Sequence, residues 1–311
     1  MTFSLPNIPN PVLLRGKSLG TPSRSRDAGA KNHFAPDRPR EEALEARLFI
    51  NEVLCPGEIV PLGNGTAAVY TARTPDESHE KNEDAAVVIP LTAESAVLAV
   101  ADGVGGARGG DLASSLALRT LNAAIDTAVQ EGHGLRWGIL NGFELANRAV
   151  IEMAIGAATT LAAVEITGDK IRPYHAGDST IIVVGQRGKI KTRTVAHSPV
   201  GYAVEGGFLD EDAAMNHEDR HLISNSIGSP DMHIEVGPVS KLARHDTILL
   251  ASDGLSDNLN TEEIVERIRK GPLETAVTEL AARATDRMLH PNGGHPSKPD
   301  DLTMILFRRN S

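Results

Sequence analysis

Two aspartates each stand at the end of an apolar run and are followed by glycine: Asp102-Gly103 after residues 96–101, and Asp253-Gly254 after residues 247–252. Asp178 sits in Gly177-Asp178-Ser179 between two strand-like runs, Glu83-Asp84 immediately precedes another, and Asp300-Asp301 immediately precedes the last. Asp-Gly is a common turn dipeptide, and an acid at a strand end is ordinarily just solvated. Taken singly, each acid therefore reads as turn chemistry. Their recurrence at so many boundaries of one domain reads differently, because the ends of strands stacked in a sandwich converge on one edge.

Carboxylates held close together repel one another and raise each other's pKa unless cations neutralise them. An all-oxygen set without His or Cys suits hard ions such as Mg²⁺ and Mn²⁺, whereas zinc would recruit nitrogen or sulfur. Two such ions about 3.5–4 Å apart activate a bridging water and clamp a phosphoryl group. The residue types and their placement thus point to phosphoester hydrolysis.

The elements that must position these acids follow from periodicity. From about residue 57 short β-like runs separated by turn residues cover 65–72, 85–90, 95–101, 159–166, 170–174 and 180–185. Two helical patterns interrupt them, one through Leu112, Leu116, Ile125 and Val129, the other through Ile139, Phe143, Ala146, Val150 and Met153. A further strand at 247–251, helices at 261–269 and 273–289, and a final strand at 302–308 complete the pattern. Asn260 is placed to cap the first of those helices, with Glu262 and Glu263 in its opening turn. Strands mixed with paired helices, without regular βαβ alternation, predict a mainly antiparallel α+β sandwich with helices on its outer faces.

Hydrophobic residues make up 41% of the 311-residue chain and aromatics only 3%, so aliphatic side chains must build the core. A formal charge of -10 argues against a generic nucleic-acid binder. The single cysteine, Cys55, excludes an intramolecular disulfide and a thiolate zinc cage, and reads as a small filler residue. No stretch reaches the roughly 20 apolar residues of a membrane span, so no membrane span and a cytoplasmic location are expected. Residues 1–45, basic and rich in Pro and Ser, read as a flexible tail, although 41–54 also has the charge alternation of a short docking helix; 46–311 form the remaining domain.

In order along the chain, Asn82-Glu83-Asp84-Ala85, Asp102-Gly103-Val104-Gly105-Gly106, Gly177-Asp178-Ser179, Asp253-Gly254-Leu255-Ser256-Asp257 and Asp300-Asp301-Leu302-Thr303 resemble the motifs of the metal-dependent protein phosphatases. This is the PPM family of type 2C serine/threonine phosphatases, in its bacterial form. The resemblance implies a four-layer α-β-β-α sandwich and hydrolysis of phosphoserine and phosphothreonine by a hydroxide bridging two Mn²⁺ or Mg²⁺ ions. Asp102 would bridge the ions, with the Gly103 carbonyl on one; Asp253 and Asp300 would bind the other. Glu83 and Asp84 would act through metal-bound waters, and Asp178 and Asp257 would belong to a third, weaker site. Phosphorylated proteins would be the partners, in the pathway of a cognate serine/threonine kinase.

Two positions depart from the family pattern. Where members commonly carry a phosphate-gripping arginine stands His79, so His79 or Lys81 would have to serve, and neither offers the guanidinium fork. Where some members carry a histidine proposed as general acid stands Val104; His175 and His197 read as structural. Residues 201–219, with Asp210, Glu211 and Asp212, occupy the place of the family's mobile flap, and their charge favours phosphopeptides with basic surroundings. The alternatives left open are a catalytically weak pseudophosphatase acting as a regulatory binding module, and a phosphatase of small phosphoesters.

Overall fold

Period-two alternation sends successive residues of a strand to opposite faces of its sheet, and in this protein both faces of each sheet are covered. The computed structural model describes residues 45–75, 81–104, 109–291 and 295–310, all within one unit, Ala43–Ser311. Its elements are β1 (Arg47–Ile50), β2 (Glu58–Leu62), β3 (Gly65–Ala72), β4 (Ala85–Thr92), β5 (Ser95–Ala101), α1 (Gly110–Gln130), α2 (Leu135–Glu152), β6 (Leu161–Thr167), β7 (Lys170–Ala176) and β8 (Thr180–Val184). There follow β9 (Ile190–Arg193), α3 (Pro199–Glu205), α4 (Glu211–Met215), β10 (Glu235–Val236), β11 (Ser240–Lys241), β12 (Thr247–Ala251), α5 (Asp253–Ser256), α6 (Thr261–Ile268), α7 (Leu273–Leu289) and β13 (Leu302–Arg309).

One sheet runs β1-β4-β5-β6-β7-β10, with β11 also on β7; the other runs β2-β3-β13-β12-β8-β9. All pairings are antiparallel. Between the sheets, Val88, Leu98 and Val100 meet Val69, Val183, Leu250 and Phe307. Their chain neighbours Val87, Val97 and Ala99 face outward against Leu118, Leu121, Ile139 and Phe143 of α1 and α2. On the other outer face Ile182, Leu249 and Leu306 pack on Ile264, Ile268, Val277 and Leu280 of α6 and α7. The predicted α-β-β-α sandwich is therefore present. Each large side chain so buried contributes about 2 kcal/mol of transfer free energy.

Three local expectations need correction. Ile125 is buried as expected and Leu116 packs on the same cluster, but Leu112 and Val129 are exposed, and the rest of the buried stripe of α1 is Ala113, Ala117, Leu118, Leu121, Ala124 and Ala128. Small residues are needed there because α2 comes close: a Cβ on Gly138 would lie 2.8 Å from Ala128 Cβ. Residues 47–50, within the segment expected as a docking helix, form β1, antiparallel to β4 with Ile50 opposite Ala85. Phe49 faces the inter-sheet core while Leu48 and Ile50 face the α1–α2 side, a period of two that leaves no helical face. Cys55 is exposed rather than a filler. The proposed tail up to residue 44 lies outside the described residues.

The cap at Asn260 forms as expected: its side chain accepts from Glu263 N at 3.0 Å, and the Glu263 carboxylate accepts from Asn260 N at 3.2 Å. Asn260→Ala is expected to cost about 1 kcal/mol, lowering Tm by about 2–4 °C in a domain of this size. Calorimetry showing an unchanged Tm would contradict the reciprocal cap.

Candidate metal and phosphate site

Strand register brings the acids together. Ala85 pairs with Ala101, so the start of β4 and the end of β5 share an edge, with Asp84 and Asp102 just beyond it. Ala251 pairs with both Met304 and Thr180, so the end of β12 lies beside the starts of β13 and β8 and carries Asp253, Asp300 and Asp178 to one place. The two sheets are joined there. Asp102 Oδ2 accepts from Asp253 N at 3.4 Å, and Asp84 Oδ2 accepts from Ser252 Oγ at 2.7 Å. Asp102 N donates to Thr160 Oγ1 at 3.0 Å, and Thr160 Oγ1 lies 2.6 Å from Ser179 Oγ, tying the end of β5 to the Asp178 loop.

The glycines after Asp102 and Asp253 serve close approach rather than turn geometry; neither has a positive φ. A Cβ on Gly103 would lie 2.6 Å from the backbone of Gly110, and one on Gly254 would meet the Asp301 carbonyl. Glycine thus lets the acid-bearing turn of one element sit against the backbone of another.

Burial, and then the neighbouring carboxylates, sets the electrostatics. Burial with Asp301, Asp300 and Asp253 pushes Asp84 well above the ordinary aspartate range; burial with Asp84, Asp253, Asp300 and Asp178 does the same to Asp102. Burial and Asp253 raise Asp178 to about 8, Asp300 to about 7 and Asp257 to about 6. Asp178 Oδ1 is buried without a hydrogen-bond partner. A set of this kind, all oxygen and mutually repelling with an orphaned acceptor, fits hard divalent cations.

Two residues act in ways the sequence does not disclose. Lys298 Nζ touches Asp253 Oδ2 and lies 2.9 Å from Asp257 Oδ2 and 3.2 Å from Asp300 Oδ2. Burial alone would lower its pKa, but the three carboxylates hold it above the usual lysine value. Its position two residues before Asp300 is the one signal that could have found it. Asp301 is a brace: Oδ1 accepts from Thr74 N at 2.7 Å and Oδ2 from Glu83 N.

The remaining candidates are placed as follows. The Glu83 carboxylate lies beside Gly110 at the start of α1, where an added Cβ would be 3.0 Å from Oε2. Gly103 N donates to Glu83 O at 3.2 Å. Lys81 pairs with Asp111 at 2.6 Å in the first turn of α1, and His79 lies outside the described residues. Val104 donates its N–H to Ala158 O.

His175, His197 and Glu235 bring potential ligand atoms within 4.8 Å of one another, but His175 Nε2 and both nitrogens of His197 are engaged in hydrogen bonds. His175 Nε2 faces the Val195 carbonyl at 2.9 Å and must be protonated to bond it. His197 Nδ1 accepts from Gly177 N, leaving Nε2–H for Glu235 at 3.1 Å. The two rings stack with their centroids 4.3 Å apart. Both histidines are structural, as expected, and lower than usual in pKa chiefly through burial.

The flap position holds α3 and α4 over a cavity of about 200 Å³ that reaches Asp178, Asp253 and Asp257. Two of the acids singled out there are engaged within the protein: Asp210 caps α4 through Ala213 N at 2.7 Å, and Glu211 pairs with Arg193 of β9 and accepts from Thr261 Oγ1 of α6. That internal use weakens the case for an acid-steered choice of substrate.

A four-layer sandwich with an acid cluster at one sheet edge is the arrangement that the resemblance to the metal-dependent phosphatases implies. The protein phosphatase 2C family profile matches residues 76–290, and the chain belongs to that family and is a phosphoprotein phosphatase. It is 30% identical over 238 residues to the serine/threonine phosphatase stp of Listeria monocytogenes, covering 73% of this chain and 90% of that one. Among solved structures it is similar to the serine/threonine phosphatase MsPP of Mycobacterium smegmatis in complex with cacodylate, at TM-score 0.64 and 28% identity, over 78% of this chain and 98% of that one. It is also similar to the catalytic domain of the phosphatase PstP in complex with two manganese ions, at TM-score 0.62 and 25% identity, over 79% and 98%. Among the described residues no helix is long and apolar enough to cross a membrane.

Proposed function

We propose that the chain dephosphorylates phosphoserine and phosphothreonine in proteins at a centre of two divalent ions, Mn²⁺ or Mg²⁺, within a catalytic domain spanning 46–311. The observation that carries this reading is the convergence of Asp84, Asp102, Asp253 and Asp300 at one edge of two sheets. The two manganese ions of the similar PstP catalytic domain support the same count. Asp102 would contact both ions, with the Gly103 carbonyl on one and Asp253 and Asp300 on the other; Glu83 and Asp84 would act through water, and Asp178 and Asp257 would form an outer position. Bound ions would activate water at neutral pH and offset charge on the phosphoryl oxygens.

The chain's own contribution is preorganisation. The Ser252–Asp84 and Asp253–Asp102 hydrogen bonds fix carboxylate orientation before substrate arrives. Burial and mutual repulsion raise the pKa of Asp84 and Asp102, so protons and cations compete for the same carboxylates. Val104 has no proton to give and His175 and His197 are committed elsewhere, so the proton for the leaving alkoxide comes from solvent. His79 and Lys81 are the candidates for gripping phosphate. A serine/threonine kinase supplies the phosphorylated protein.

The test is hydrolysis of a phosphothreonine peptide and of p-nitrophenyl phosphate with Mn²⁺, with Mg²⁺ and with chelator. Turnover is expected only with metal. Full activity in chelator would overturn the mechanism, and inactivity with both metals would leave a regulatory binding module.

A further inference from the structure

We infer that Lys298 is a cation built into the acid cluster, occupying a place beside Asp253, Asp257 and Asp300 that a further divalent ion would otherwise take. The inference rests on the two-ion reading above and adds a limit on how many ions the chain holds. The ammonium of Lys298 pairs with three carboxylates: it donates to Asp253 Oδ2 and lies 2.9 Å from Asp257 Oδ2 and 3.2 Å from Asp300 Oδ2. The side chain is only 20% exposed, unlike a lysine free to sweep the surface.

The backbone of Lys298 is held as firmly as its head group. Lys298 N donates to Asn258 Oδ1 at 2.9 Å, and Asn258 Nδ2 donates to Lys298 O at 2.9 Å. The same Nδ2 donates to Gly254 O at 2.9 Å, so one fully buried asparagine fixes both Lys298 and the turn that carries Asp253. Arg220 donates to the adjacent Ser297 carbonyl at 3.1 Å, and Pro296 and Pro299 fix φ on either side. Lysine and acids are therefore positioned together.

A tethered cation differs from a bound ion in two ways. Its effective concentration does not depend on the solution, so it cancels part of the repulsion among Asp178, Asp253, Asp257 and Asp300 when metal is scarce. It also excludes a divalent ion from the volume that its ammonium fills. Asp257, one of the two acids of the outer position proposed above, is then paired with this side chain, leaving two exchangeable ions.

The experiment compares the full-length wild type, Lys298→Met and Lys298→Arg. Each is purified in Mn²⁺, desalted and assayed for bound manganese by elemental analysis, and melted again after exhaustive chelation. The wild type and Lys298→Arg are expected to hold two ions, and Lys298→Met one more. The metal-free Tm of Lys298→Met is expected to fall by about 5 °C. The ion count, taken on desalted protein never exposed to chelator, stands even where Lys298→Met does not survive chelation. An ion count in Lys298→Met equal to that of the wild type overturns the inference alone. A wild type that holds no divalent ion overturns the two-ion reading and this inference with it.

Discussion

Asp102→Asn is expected to lower kcat/KM in Mn²⁺ by about 10³-fold or more while raising the melting temperature of the metal-free protein. Asparagine is nearly isosteric and its carbonyl can still accept from Asp253 N, the bond that Asp102 Oδ2 makes at 3.4 Å. What disappears is the charge. Metal ions supply several kcal/mol of transition-state stabilisation, and a loss of about 4 kcal/mol corresponds to a factor of about 10³. Without metal that charge is a liability, since burial and then Asp84, Asp253, Asp300 and Asp178 hold the Asp102 carboxyl far above its ordinary range. Its removal should stabilise by about 1–2 kcal/mol. Steady-state kinetics and calorimetry in chelator check the two halves separately. Activity lost together with stability would show that Asp102 is a structural brace; activity retained would remove it from the centre.

How far the sequence disclosed the molecule depended on which physical signal each residue carries. The strands β3 to β8, β12 and β13 were legible because both sheet faces are covered, so alternate residues are apolar for different reasons and the runs stand out whole, whereas the short, more exposed β9, β10 and β11 leave no such run. Arg47–Ile50 was not, because four residues with Leu, Phe and Ile in succession satisfy either period. The inward face of α1 was misjudged at Leu112 and Val129, since close helix packing favours alanine over the large residues that pattern reading weights most. Asp102 and Asp253 were legible as strand-end acids, but the reason for their glycines was not. A close approach by Gly110 or Asp301 is a tertiary fact. Lys298 escaped for the same cause, as only the fold brings Asn258 across to hold it.

In chelator the protein is expected to lose stability as pH rises from about 6.5 to about 8.5, and Mn²⁺ is expected to restore more stability at the upper end than at the lower. Asp178 at about 8 and Asp300 at about 7 stand above the ordinary aspartate value of 3.8, and Asp84 and Asp102 are raised in the same direction. In this window the folded chain retains protons that the unfolded chain has already released, so the derivative of unfolding free energy with pH is negative. Stability from a raised carboxyl is complete below the unfolded pKa and is lost as pH passes the folded one. His175 and His197, lowered mainly by burial, act oppositely, but their effect ends near pH 6.5, above which the unfolded histidine is also neutral. Asp300, with 38% of its side chain exposed, contributes less than a fully buried acid because solvent screens it. A net loss of about 3 kcal/mol follows, or about 5–10 °C in Tm. Cations bind the deprotonated form, and an ion at a thousand times its Kd adds about 4 kcal/mol, so the gain grows as protons cease to compete. Melting curves at pH 6.5 and 8.5, with chelator and with Mn²⁺, test both signs; a chelated Tm that rises across the window, or an equal Mn²⁺ gain at both ends, would show that these carboxylates do not share a cation.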